Sequence, residues 1–173
     1  PEPDKDVDRS IIHWHPVAEL PNKGKKDITS FISQHFLRTS DAVYTPEWKH
    51  ISLGMEGCPH PSVFCIGRDR YGGMIASISA RPLTLKLPGR KSFWLYYIDN
   101  LCVHSGHRRR GLAPKAIRTL YQDIREKVRD VRVYLFKREG SVMRIMPLTV
   151  MDVCVFQSAA FKKLACKWPD QNM

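Results

Sequence analysis

The sequence predicts an α/β domain of the α+β kind, a mixed and mostly antiparallel sheet flanked by helices. One observation behind this is the order of hydrophobic patterns: a strand, two helices, three strands in succession, a long amphipathic helix and another strand. A second is the pair of connectors RDRYGG and KLPGRK. Both are rich in turn residues, so the three successive strands are expected to pair antiparallel. The third is the strand–helix–strand crossover that follows, which calls for a parallel pair.

Each element follows in order. RSIIHW, Arg9 to Trp14, reads as the first strand. Asp27 is expected to cap a helix to about Leu37 that carries Ile28, Phe31, Ile32 and Phe36 on one face. Thr45-Pro46-Glu47 opens a short second helix, with a capping hydroxyl and then proline at the first helical position, and Gly54 and EGCPHP end it. Strands are expected at Ser62 to Arg68, Gly73 to Leu85 and Ser92 to Val103. A helix then runs from Pro114 to about Val128, with Ala116, Ile117, Leu120, Tyr121, Ile124 and Val128 as its apolar stripe and Lys115, Arg118, Gln122 and Arg125 facing water. Val131 to Phe136 reads as a fifth strand. Val142 to Phe156 is strongly apolar but interrupted by Pro147, and Ser158 to Cys166 fits a last short helix.

At 173 residues the chain is expected to form one domain, 1–173, large enough to bury a real core. No apolar run approaches the roughly 20 residues of a membrane span. The first residues, PEPDKDVD, are acidic and have no apolar signal segment, so export is not expected. The five cysteines, Cys58, Cys65, Cys102, Cys154 and Cys166, form no CxxC, and the histidines lack ligand spacing. No metal site is expected, and free thiols fit the cytoplasm, with the nucleus as the alternative. The net charge of +11 calls for a polyanionic partner. Nucleic acid is less favoured, because the basic residues are scattered and no stacking aromatics alternate with them. A phosphate-bearing cosubstrate fits as well.

The sharpest signal is LCVHSGHRRRGLAP, Leu101 to Pro114. Arg108, Arg109 and Arg110 crowd the start of a helix, where the macrodipole is already positive and each added cation costs a few tenths of a kcal/mol. The arrangement makes sense if an anion sits there. Helix-start N–H groups can cradle a phosphate, Gly111 lets the backbone come close, and the arginines supply the counter-charge.

The spacing Arg108-x-x-Gly111-x-Ala113, after a strand reading Y-I-D-N-L-C-V, resembles the R/Q-x-x-G-x-G/A signature of the GNAT acyltransferase superfamily. IDNLCVHSGHRRRGLAP is also similar to the N-myristoyltransferase pattern of a strand INFLCVH and a basic turn ending in A-P. YTPEWKHISLGMEGCPHPSVFCIG and YGGMIASISARPLTL resemble that family's preceding segments in the same order, from Tyr44 to about Val128. The likeness is to its acyl-CoA-binding half. The second, peptide-binding half has no counterpart in 173 residues.

The resemblance implies an acyl-CoA-dependent N-acyltransferase. Acetyl-CoA or a longer acyl-CoA would be the cosubstrate, with Leu101, Cys102 and Val103 along the pantetheine arm and Arg108, Arg109, Arg110, Gly111, Leu112 and Ala113 around the diphosphate. It places the backbone N–H groups of Asn100 and Leu101 near the thioester carbonyl. Asp99 is the first candidate to take the amine proton and His104 the second, histidine being the usual neutral-pH acceptor. Asp99 could equally bind a cationic substrate or cap a bulge. One of Tyr96 and Tyr97 should face the cleft, and Cys102 reads as an inert core thiol. In SAAFKKLACKW, Phe161 stands where many GNAT enzymes carry an acid tyrosine, for which Tyr134 is a conceivable substitute. The myristoyltransferase-like pattern implies a peptide or protein amine as acceptor before a small amine, and the net positive charge would repel a polyamine unless the cleft itself is acidic. Two alternatives stay open: a non-catalytic module that binds acyl-CoA or nucleic acid, and half of an assembly completed by a homodimer.

Overall fold

Alternating apolar residues bounded by glycine and proline turns build the centre of the molecule. A computed structural model of the chain describes residues 8–36 and 43–137, all within one compact unit that ends at Lys137. The expected elements after Phe136, together with Cys154, Phe161 and Cys166, lie outside the described residues, as does Leu37.

Among the described residues five strands form one sheet in the order β1-β2-β3-β4-β5. They are β1 Ile12–Pro16, β2 Val63–Arg68, β3 Met74–Leu85, β4 Phe93–Val103 and β5 Tyr134–Phe136. Pairings from β1 through β4 are antiparallel, and β5 runs parallel to β4. The mixed, mostly antiparallel α/β sheet expected from the sequence is therefore what forms. β2, β3 and β4 start within one residue of expectation. β1 lies further along than RSIIHW, because Ile12 pairs with Gly67 while Arg9 is drawn to the long helix by Asp123 and Glu126. β5 is shorter than expected, as only Tyr134 to Phe136 find partners on β4.

The helices are α1 Asn22–His35, α2 Trp48–Ile51 and α3 Leu112–Lys127. Two begin earlier than expected. α1 starts after Pro21, whose carbonyl accepts the Lys25 N–H at 3.0 Å, so Asp27 sits inside the helix instead of capping it. α3 starts after Gly111 in the left-handed region (φ 74°), which puts Pro114 third in the helix instead of first. α2 starts later than expected, because Glu47 is its cap. The Glu47 carboxylate accepts an N–H of the first turn while its own N–H donates to His50 Nδ1 at 3.1 Å.

Two cores flank the sheet. On one face Val63, Cys65, Ile78, Ala80 and Tyr96 pack against Ala116, Leu120 and Ile124 of α3. On the other Phe64 and Ile66 pack against Ile28 and Ile32 of α1 and Ile51 and Met55 around α2. The stripe expected on α3 is partly wrong. Ile117 and Tyr121 are exposed, while Thr119 and Asp123 are buried. Their polar groups are met from the N-terminal segment: the Asp8 N–H donates to Thr119 Oγ1 at 3.3 Å and Arg9 pairs with Asp123 at 3.0 Å.

Candidate active site

β4 changes character halfway along. From Tyr96 to Ile98 it has β3 on one edge and β5 on the other, and the ladder to β5 ends at Ile98↔Phe136. Just beyond, the register to β3 shifts: Ser79 faces Asp99 but Ser77 faces Cys102. Two residues, Asn100 and Leu101, therefore stand opposite Ile78, which is a β-bulge. Asn100 adopts φ 52°, a left-handed conformation that asparagine tolerates better than most residues.

Two wholly buried serines of β3 hold the bulge in place. Ser79 Oγ accepts from Asn100 Nδ2 at 2.9 Å and donates to the Asp99 carbonyl at 3.2 Å. Ser77 Oγ donates to the Asn100 carbonyl at 3.2 Å. Asp99 Oδ1 in turn accepts the Asn100 N–H at 2.8 Å. Asp99 thus caps the bulge, one of the readings left open by the sequence.

Asp99 and Asn100 also border a cavity of about 200 Å³, lined from the other side by Phe36 just after α1, by His50 of α2 and by Leu53 and Met55 beyond it. Arg81 completes its charged lining. Its guanidinium lies 5.1 Å from the centre of the Tyr97 ring. Tyr97 is therefore the tyrosine on the cavity face. Tyr96 is on the other face, buried, with its hydroxyl bonded to the Pro61 carbonyl at 2.8 Å.

Past Val103 the chain makes a single 3-10 turn, Ser105–His107, before Gly111 admits α3. His104 Nδ1 accepts the Gly106 N–H at 3.1 Å, and the ring packs 4.2 Å from His35 and 5.3 Å from His107 between ring centres. His104 belongs to this turn and does not line the cavity beside Asp99. Arg108 is also occupied, since its Nη2 donates to the His35 carbonyl at 2.6 Å and ties the end of α1 to the turn. Arg109, in the left-handed region at φ 62°, and Arg110 are exposed. Nothing lies within 4 Å of where a Cβ on Gly111 would stand. The turn therefore presents a free backbone edge, two exposed guanidiniums and the leading N–H groups of Leu112 and Ala113, which have no acceptor within the helix.

The sequence profile of the acetyltransferase (GNAT) family matches residues 29–142. The chain belongs to the GNAT acetyltransferase family. No curated protein sequence matches it. Among solved structures it is similar to Saccharomyces cerevisiae N-myristoyltransferase with bound myristoyl-CoA, at 20% identity and a TM-score of 0.61, over 78% of this chain and 31% of that one. It is also similar to an aminoglycoside acetyltransferase from an uncultured soil metagenomic sample (18% identity, TM-score 0.55, 84% of this chain and 97% of that one). Glucosamine-6-phosphate N-acetyltransferase from Arabidopsis thaliana matches at 16% identity and a TM-score of 0.51, over 82% and 99% of the two chains. The chain spans about a third of the length of the myristoyltransferase. These likenesses are of fold.

In this GNAT domain the turn fits a diphosphate, having close backbone access at Gly111, a helix start and exposed positive charge. The thiols lie apart from such chemistry. Burial raises Cys102 to about 11 and Cys65 to about 12, so both stay protonated at neutral pH. Tyr134 pairs with Tyr96, before the strands part, and packs 4.9 Å from Tyr121 of α3. Burial also raises its pKa, and its hydroxyl has no partner among the described residues. No cluster of three or more His, Cys, Asp or Glu suited to a metal occurs among the described residues, and no helix there is long and apolar enough to cross a membrane. Ser77, Ser79, Arg81 and His35 were missed in the sequence. Only the fold brings them to the bulge, the cavity and the turn.

Proposed function

We propose that the chain is a single GNAT-like domain, 1–173, that transfers an acyl group from coenzyme A to an amine, with a peptide or protein amine as acceptor. The observation that carries this is the bulge at Asn100–Leu101, where β4 leaves β5 and runs into the Gly111 turn. A thioester-bearing arm would lie along the free edge from Leu101 through Cys102 to Val103. Its diphosphate would rest on Gly111, Leu112 and Ala113 with Arg109 and Arg110 beside it, while Arg108 holds the turn to α1. The reducing cytoplasm or nucleus suits the free thiols Cys58, Cys65 and Cys102.

Asn100 and Leu101 N–H groups would steady the oxygen that gains charge. In the present arrangement the Asn100 N–H is held by Asp99 Oδ1. A thioester oxygen taking over that N–H would release the Asp99 carboxylate toward the cavity, where the amine arrives. The amine nitrogen then forms the C–N bond as the C–S bond breaks, Asp99 takes the amine proton, and the thiolate leaves and is protonated from solvent. His104 would act only on the cofactor side, through the turn it caps.

Thiol release is the test. Acetyl-CoA and myristoyl-CoA are each incubated with the protein and a panel of amines and N-terminal peptides, and free coenzyme A is followed. Amine-dependent release is expected with one of the two, and the preferred chain length fixes the acyl class. Tight acyl-CoA binding without any release would overturn catalysis and leave a binding module.

A further inference from the structure

The cavity beside Asp99 holds two opposite charges that do not meet. Arg81 pairs with Tyr97 across β3 and β4, and Ser79 pairs with Asp99, so all four lie on one face of the sheet with Arg81 diagonal to Asp99. Such diagonal neighbours stand about 7–8 Å apart. No ion pair joins Arg81 to Asp99 or to any other carboxylate among the described residues, and its one described partner is the Tyr97 ring. Gly54, at φ 73°, turns the chain after α2 so closely that a Cβ there would come 3.0 Å from Arg81 Nη1. The guanidinium is thus bracketed by a ring and a glycine turn at the cavity wall. His50 adds a donor, because its Nδ1 already accepts the Glu47 N–H and the remaining ring proton sits on Nε2. Tyr44 adds a phenol to the lining, and Ile51, Leu53 and Met55 are apolar.

We infer that the acceptor amine carries an anionic group, a carboxylate or a phosphate, which Arg81 binds while the amine meets Asp99. This rests on the acyltransferase reading above and specifies the substrate class of that site. A guanidinium is always charged and offers paired donors suited to either anion. With no carboxylate partner among the described residues, and in a half-enclosed cavity, it repels a second cation, so a diamine finds one attractive group and one repulsive one. An amine with an anion a few bonds away satisfies both.

The test compares matched acceptors in the thiol-release assay: ethanolamine phosphate against ethanolamine, β-alanine against β-alaninamide, and cadaverine as the diamine. The first two pairs separate phosphate from carboxylate. The anionic member of at least one pair is expected to be favoured in kcat/KM by about ten- to a hundred-fold, the range of a charge-assisted hydrogen bond. Arg81→Gln is expected to lose that preference through KM, Arg81→Glu to turn it toward cadaverine, and Arg81→Lys to keep part of it. Arg90→Gln, which removes the same charge from the exposed β3–β4 turn, keeps it whole. Equal use of both members of each pair, a wild-type preference for cadaverine, or a preference that survives Arg81→Glu overturns this inference alone. Release with N-terminal peptides but with none of these amines overturns this inference alone, whereas absence of release with these amines and with the peptides overturns the acyltransferase reading and this inference with it.

Discussion

β4 is one strand with two halves. From Phe93 to Ile98 it pairs with β3 throughout and from Tyr96 with β5 as well, buries Leu95 and Tyr96 and spends its one buried hydroxyl on the Pro61 carbonyl. From Asp99 to Val103 it bulges, adopts a positive φ at Asn100 and loses β5. Polar groups freed in the second half are met by Ser77, Ser79 and Asp99 instead of by a neighbouring strand. Stability is built where the backbone has two partners. Function is expected where it has one among the described residues, because an edge with fixed donors left open can bind something else.

The comparison can be broken from either half. Tyr96→Ala should have the largest effect, about 3–5 kcal/mol of stability, because it empties a fully buried ring site between β4 and α3. Denaturant melts should show it, and a loss below about 1 kcal/mol would mean that the paired half is not the keystone. Asp99→Asn should do the reverse. Thiol release falls about a hundred-fold or more, while the melt moves by less than about 0.5 kcal/mol, as for an ordinary exposed position. A variant with wild-type turnover would remove Asp99 as proton acceptor.

Ser79→Ala is a sharper and smaller test. It strips a partner from both Asn100 Nδ2 and the Asp99 carbonyl, worth about 1–3 kcal/mol. Amide exchange should quicken at Asn100 and Leu101 while Leu95 and Tyr96 stay protected. Uniform acceleration along β4 would show that the halves are not separable.

The smallest effect lies on the far edge of α3. Hydrogen bonds from Gln122 and then Arg9 hold the Glu126 carboxyl below its ordinary range. The Ser10 hydroxyl and then Lys115 do the same for Asp8. A depressed folded pKa contributes stability above the ordinary carboxylate value and loses it as pH falls through the folded value. The stability gap between wild type and Glu126→Gln should therefore narrow as the solution is acidified below about pH 4.5. A gap that widened would contradict the pairing.

Much of this was legible because it is local. β2, β3 and β4 are alternating or apolar runs closed by Gly72-Gly73 and Pro88-Gly89, and their limits fell within one residue. Helix starts were harder. Pro21 and a left-handed Gly111 are not the hydroxyl or carboxylate caps that a sequence advertises, so α1 and α3 were begun too late. The Asp99–Leu101 segment was found through likeness to a family, since nothing in its alternation announces a bulge. The serines that pin it lie twenty or more residues back on β3, and the partner of Arg108 lies at the end of α1. Spacing along the chain carries no trace of such contacts.

The splayed half of β4 and the turn after it form the proposed coenzyme A site. Calorimetric titration with acetyl-CoA and myristoyl-CoA tests it, on the wild type and on a variant carrying Arg109→Glu, Arg110→Glu and Gly111→Val. Arg108 is left intact so that the α1 tie survives. At least one thioester is expected to bind the wild type and to lose affinity for the folded variant by roughly a hundred-fold or more, for two reversed charges at an anion site. Failure of either thioester to bind the wild type, or undiminished binding by the variant, would contradict it.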